Sequence, residues 1–145
     1  MKKLFVLAVI IFGFAGVCIA SDWKEESIIL TKITDGDTIK AVVNGEKESI
    51  RLLDIDCFET RKNPRAIWQS EYYHKSIGDI LKQGFYSKQR LEDKLKGKKE
   101  LVLKWKQRDK YKRILGKIYL DDEDINEYML KNGGCQKYVD RHSTK

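Results

Sequence analysis

Asp35-Gly36-Asp37-Thr38-Ile39-Lys40-Ala41-Val42-Val43-Asn44-Gly45-Glu46-Lys47-Glu48-Ser49-Ile50-Arg51-Leu52-Leu53-Asp54-Ile55-Asp56-Cys57-Phe58-Glu59 is the stretch around which the rest of the chain is organised. Asn-Gly between two β-branched runs is a strong hairpin signal, because both central residues of a type I′ turn need positive φ. Folding back at Asn44-Gly45 brings Asp37, at the start of one strand, towards Asp56, at the end of the next. Two carboxylates at one end of a hairpin suggest a cation. Hard oxygen donors suit Ca²⁺ or Mg²⁺ rather than a soft metal. Arg51 and Glu59 flank the second acid, and a guanidinium, a metal and a free carboxylate together are what phosphate-ester hydrolysis requires. The plainer reading is that Asp-Gly-Asp is ordinary turn chemistry, with acids at strand ends facing solvent.

Working outward, residues 27–43 read as two strands joined at Asp35 to Asp37, and residues 48–55 as a third. In that third strand alternation sets Arg51 on the face opposite Ile50 and Leu52, while Leu52-Leu53-Asp54 suggests a bulge or twist. Residues 60–65 carry the sole proline and read as an exposed basic loop, after which a helix spans 65–75. Ser76, with Asp79 three residues on, starts a second helix over 77–95 in which Gly84 is a tolerated weak point. Trp68, Tyr72 and Tyr73 are read as packing that helix pair, with base stacking as the alternative. His74 is read as a surface or packing residue, and residues 94–99 as a basic connection. Alternation marks strands over 101–106 and 113–120, and Asp124 caps a helix over 125–132 that stops at Gly133-Gly134. The acidic turn at 121–124 lacks the ligand spacing of a calcium loop, and nothing after Lys137 reads as structured.

Residues 1–20 have a basic start, an apolar stretch from Leu4 to Ile19 and small residues before Ser21, the layout of a secretory signal peptide. An uncleaved membrane anchor and a lipid at Cys18 are the alternatives. Cleavage leaves residues 21–145, enough for a single domain. Two of the 29 lysines and arginines depart with the leader, so 27 remain against 22 acids, an excess of +5 that agrees with a polyanionic partner without establishing one.

Asp35-Gly36-Asp37-Thr38, then Arg51-Leu52-Leu53 with Ile55-Asp56 and Glu59, and later Asp109-Lys110-Tyr111-Lys112-Arg113, resemble the staphylococcal nuclease (thermonuclease) family in order and approximate spacing. The resemblance implies an α+β fold that is mainly β: a five-stranded barrel of the oligonucleotide-binding type with about three helices. It implies a Ca²⁺ held by the side chains of Asp37 and Asp56 and the main-chain carbonyl of Cys57. Arg51 and Arg113 would grip the scissile phosphate, Glu59 would act on the attacking water, and Lys110 and Tyr111 would contact the nucleotide. Departures are Cys57-Phe58 where the family has Thr-Pro, and Lys112 where it has Gly, which asks whether that turn needs positive φ.

With Cys18 removed, Cys57 and Cys135 remain, an even pair in an exported chain, in segments that the family fold sets side by side. A disulfide between them is expected, with two free thiols as the alternative. The expectation is therefore a periplasmic or secreted, monomeric, Ca²⁺-dependent nuclease acting on DNA and RNA, with no stable membrane partner. A catalytically weak or inactive nucleic-acid-binding barrel is the alternative.

Overall fold

Asn44 and Gly45 take φ of 51° and 83°, the positive values that a two-residue hairpin turn demands. Around that turn the computed structural model, which describes residues 22–140, builds its barrel; the leader read in residues 1–20 lies outside the described residues. The elements run β1 (Lys24–Asp35), β2 (Thr38–Val43), β3 (Glu46–Leu52) and the two-residue β4 (Ile55–Asp56), followed by α1 (Pro64–Tyr72) and α2 (Ile77–Lys94). After these come β5 (Glu100–Arg108), β6 (Ile114–Leu120), the short β7 (Glu123–Asp124), α3 (Ile125–Asn132) and β8 (Gln136–Lys137).

The strands pair in the order β3-β2-β1-β5-β6-β7, and β3 also runs parallel to β6. Ile50 faces Ile114 and Leu52 faces Gly116 across that parallel seam, which closes β1, β2, β3, β5 and β6 into a mixed five-stranded barrel. Register shifts between Leu30 and Lys32 and between Ile33 and Asp35 bend β1, so its first half pairs with β5 while its full second half follows β2. Alternation along the strands sends Ile28, Ile39, Ile50, Leu52, Leu103, Ile114 and Ile118 inward, each no more than 1% exposed. Leu91 from α2 and Ile125 and Met129 from α3 complete this core. Each such side chain contributes about 1.5–3 kcal/mol by leaving water.

Helices α2 and α3 start on side-chain caps. Ser76 Oγ accepts from the Asp79 amide at 3.1 Å, and Asp124 Oδ1 accepts from the Glu127 amide at 2.9 Å. Between α1 and α2 a smaller apolar cluster of Phe58, Ala66 and Ile80, with Tyr73 and Leu81, holds the chain just beyond the hairpin. Trp68 stacks on Tyr72 at 4.8 Å, and Tyr73 meets Phe58 edge-on at 5.3 Å, so the aromatic cluster packs on itself and on that small core.

Several boundaries differ from the sequence reading. The first strand begins at Lys24 rather than residue 27, because cross-strand pairing to Trp105 and Lys104 compensates for its polar side chains. The third ends at Leu52: Asp54 takes φ 64° and turns the chain, and Ile55 and Asp56 pair instead with Lys137 and Gln136. Pro64 occupies the first turn of α1 rather than preceding it, capped by Asn63 Oδ1 on the Ala66 amide. That helix stops at Tyr72, before His74 at φ 52°.

Candidate active site

Asp37 and Asp56 are 6% and 4% exposed, and one guanidinium spans them. Arg51 lies opposite Thr38 in the β2–β3 ladder, which aims its fork at both acids. Its Nη1 stands 3.2 Å from Asp37 Oδ2 and its Nη2 3.3 Å from Asp56 Oδ1. The guanidinium also donates to the carbonyls of Leu52 at 3.0 Å and Asp37 at 3.4 Å. Asp37 accepts the Cys57 amide on Oδ2 at 2.6 Å and the Thr38 hydroxyl on Oδ1 at 3.1 Å. Burial pushes the Asp37 carboxyl up, and Arg51 and the Cys57 amide oppose that rise. The two acids therefore converge on one centre, which Arg51 bridges.

The third side of this centre comes from α1, and neither of its key residues was legible beforehand. Arg65 Nη2 reaches Asp56 Oδ2 at 2.7 Å. Gln69, fully buried one turn later, bonds with both ends of its amide. Its Oε1 accepts the Glu59 amide at 3.0 Å, and its Nε2 donates to the Cys57 carbonyl at 3.1 Å and to Asp56 Oδ2 at 3.2 Å. Asn63, while capping the helix, donates from Nδ2 to Glu59 Oε2 at 2.7 Å. Residues 60–65 are thus not simply an exposed basic loop, since Arg65 is turned inward. The i, i+4 spacing of Arg65 and Gln69 puts both on one helical face, a signal available only once the helix was known to lie against the hairpin.

Glu59 is set beside the paired acids rather than within them. Partial burial pushes its carboxyl above the usual glutamate range; the Asn63 amide opposes this, and the neighbouring carboxylates of Asp37, Asp35 and Asp56 add to it. Phe58, 2% exposed, anchors the turn between Cys57 and Glu59 by packing, where the family has proline. Gly84 of α2 does more than tolerate its place: a Cβ there would run into the carbonyls of Glu59 and Phe58. Cys57 is joined to Cys135 by a disulfide, with Cα atoms 4.2 Å apart.

Across an open cleft of about 1060 Å³ stand Lys110, Tyr111 and Arg113, on the turn between β5 and β6. Asp109 organises this turn: its Oδ1 accepts the amides of Tyr111 at 2.9 Å and Arg113 at 3.0 Å, and its Oδ2 pairs with Arg113 Nε at 2.7 Å. Lys112 takes φ 64°, so the turn does use the left-handed region. Tyr111 is 67% exposed, with the Lys110 ammonium 5.2 Å and the Arg113 guanidinium 5.6 Å from its ring centre. Arg113 shares the cleft with Arg51 but is bonded to Asp109 rather than to the paired acids.

Among the described residues no three His, Cys, Asp or Glu side chains gather as a metal cage. The available donors are two carboxylates and the Cys57 carbonyl, which keeps a second lone pair beside its bond from Gln69. All are hard oxygens around a guanidinium-bridged centre, a set that fits a divalent cation completing its shell with water or substrate oxygens.

A closed five-stranded mixed barrel with an arginine-bridged acid pair at one end of a hairpin defines a class, and the family comparison agrees. The staphylococcal nuclease homologue family matches residues 49–145, and the chain belongs to that family. The chain is 35% identical over 124 residues to the protein named endonuclease YncB of Bacillus subtilis (strain 168), covering 84% of this chain and 53% of that protein. It is also 35% identical over 120 residues to the SPbeta prophage-derived endonuclease YokF of the same organism, covering 81% and 36%. To the thermonuclease of Staphylococcus intermedius it is 30% identical over 115 residues, covering 79% and 61%. The chain thus spans less than two thirds of each of these relatives.

Proposed function

We propose that the protein is an exported, Ca²⁺-dependent nuclease that hydrolyses phosphodiester bonds in DNA and RNA. The observation that carries this reading is the meeting of Asp37, Arg51 and Asp56 on one centre, with Glu59 beside it and Arg113, Lys110 and Tyr111 across the same cleft. Two of its relatives are named an endonuclease and a thermonuclease. The layout of residues 1–20 supports export, and one cleft lined by Asp37, Arg51, Asp56, Glu59, Lys110, Tyr111 and Arg113 supports action as a monomer.

In this mechanism Asp37, Asp56 and the Cys57 carbonyl would hold the cation, and the chemistry it would supply there is Lewis acidity. Glu59 orients a water and takes its proton as the new oxygen–phosphorus bond forms. A carboxyl raised by burial is a better proton acceptor than an ordinary glutamate. Arg51 and Arg113 face the charge that accumulates on the phosphoryl oxygens while the old phosphorus–oxygen bond breaks, Arg113 mainly at the departing oxygen. To meet that oxygen, Arg113 would exchange its ion pair with Asp109 for the substrate. Lys110 and Tyr111 contact the adjoining nucleotide.

The test is direct. Oxidised protein lacking residues 1–20 is incubated with plasmid DNA and with RNA, in Ca²⁺ or in excess chelator. Degradation of both in Ca²⁺ and of neither in chelator is expected. Intact nucleic acid in Ca²⁺, with binding retained, would reduce the protein to a nucleic-acid-binding barrel.

A further inference from the structure

Asp56 is held by two arginines, and they are anchored very differently. Arg51 makes contacts with both carboxylates and two main-chain carbonyls, at 3.0 to 3.4 Å. Arg65 has the shorter bond, 2.7 Å to Asp56 Oδ2, and among the described residues its ion pair is with that carboxylate alone. It also rests on the face of Trp68, with the guanidinium carbon 4.1 Å from the ring centre. Its side chain is 13% exposed, and it lines the cleft together with Arg51 and Arg113.

Charge makes this difference matter. Asp37 and Asp56 carry two negative charges and Arg51 and Arg65 two positive ones, so each acid of the pair already has a counter-ion, with Asp35 and Glu59 as further acids in the same cleft. A divalent cation on Asp56 would put like charges on a single carboxylate, in surroundings with little water to screen them. Where one guanidinium yields, it is Arg65, which among the described residues has a single ion pair to lose. Gln69 Nε2 keeps its own bond to Asp56 Oδ2, so the carboxylate is still oriented after Arg65 goes. The Trp68 ring gives the departing guanidinium a resting face that needs no anion.

We propose that Arg65 is an internal counter-ion for Asp56 which a divalent cation displaces and which then binds a phosphate of the nucleic acid in the cleft. The inference rests on the cation reading given above. Arg65 opposes cation binding while the cleft is empty of substrate and favours substrate once the cation is in place. The two ligands are thereby coupled through one side chain.

Calorimetric titration of the oxidised chain with CaCl₂, without nucleic acid, tests this on wild type, Arg65→Gln, Arg65→Lys and Asp56→Asn, after circular dichroism has matched their melting curves. Arg65→Gln is expected to bind Ca²⁺ about tenfold more tightly than wild type, the order of effect of removing one near positive charge. Arg65→Lys, which keeps the charge, should stay within about threefold of wild type. In saturating Ca²⁺ the Arg65→Gln chain should bind a cleavage-resistant phosphorothioate oligonucleotide about tenfold more weakly, with a shallower salt dependence. If Asp56→Asn loses Ca²⁺ binding while Arg65→Gln binds it no more tightly than wild type, the counter-ion role is wrong and the cation site stands. Equal tightening in Arg65→Lys and Arg65→Gln would also overturn it, since packing rather than charge would then be at work. A wild-type chain that takes up no Ca²⁺ removes the cation reading and this inference together.

Discussion

The two walls of the cleft are built on opposite principles. On the hairpin wall Asp37 and Asp56 are almost wholly buried, and Asp56 alone receives Arg51, Arg65 and Gln69. On the wall formed by residues 109–113, Tyr111 is 67% exposed, Lys112 sits at φ 64°, and one carboxylate, that of Asp109, gathers the turn. A buried, many-bonded wall suits groups that must already be in position when substrate arrives. An exposed turn on a single hinge-like acid suits groups that follow the substrate. Substitutions in the first should therefore erase function with the fold intact, and substitutions in the second should grade it.

The largest effect is expected from Asp37→Ala, which removes a cation donor and leaves the Cys57 amide without its acceptor. Cleavage should fall by at least about 10³-fold, measured as initial rate on plasmid DNA in Ca²⁺; undiminished cleavage in excess chelator would break the assignment of this wall. Next comes Arg113→Ala on the other wall. Its kcat should drop by roughly 10²-fold or more with KM little changed, and a change confined to KM would show the turn to be only a binding surface.

Gly84→Ala probes the buried wall from behind, because the new methyl would press on the Glu59 and Phe58 carbonyls. Overpacking of this kind costs about 1–3 kcal/mol, and a displaced Glu59 should lower kcat by about tenfold or more. Unaltered melting and activity together would mean that α2 does not brace the turn.

Asp109→Asn tests the hinge of the exposed turn through pH. Partial burial pushes the Asp109 carboxyl up, but the Arg113 side chain and the amides of Arg113 and Tyr111 outweigh this and bring it below the ordinary aspartate range. A folded-state value depressed in this way adds stability above the unfolded pKa and loses it as pH falls through the folded value. The variant should be less stable than wild type by about 1 kcal/mol at neutral pH, with the gap closing in acid, as followed by urea denaturation across pH. A gap that stays constant with pH would contradict the ionic role. Smallest is Lys112→Gly: relieving a side chain at φ 64° should raise stability by roughly 0.5–1 kcal/mol, seen as a higher melting temperature.

Legibility divides along the same line as locality. The hairpin was readable because Asn44-Gly45 is a two-residue signal, and with it came the approach of Asp37, Arg51 and Asp56. The caps at Ser76 and Asp124 were readable for the same reason, since a cap acts within three residues. Gln69 and Arg65 escaped because their partners lie 9 to 13 residues away and belong to another element. A nine-residue helix with two buried positions offers too little periodicity to tell which face turns inward. Gly84 was read as a weakness because nothing nearby in the chain reports that the Glu59 carbonyl will press against it. The end of β3 at Leu52 was likewise hidden, since Asp54 adopts its positive φ only where β4 leaves to pair with β8.

The bridge from Cys57 to Cys135 sets an order of assembly. It joins residues 78 positions apart, and the pairing of Ile55 and Asp56 with Lys137 and Gln136 crosses the same distance. A ribosome releases the residues of the hairpin long before it releases their fastening. During that interval β1, β2 and β3 can form their meander from local contacts, while the segment carrying Asp56 and the Cys57 carbonyl has no partner strand and no sulfur to close on. A stretch of chain made 78 residues later is thus the one that secures the turn at Asp56 and Cys57, and a chain interrupted before residue 135 would keep the acids and arginines of the hairpin without the tie that holds them together.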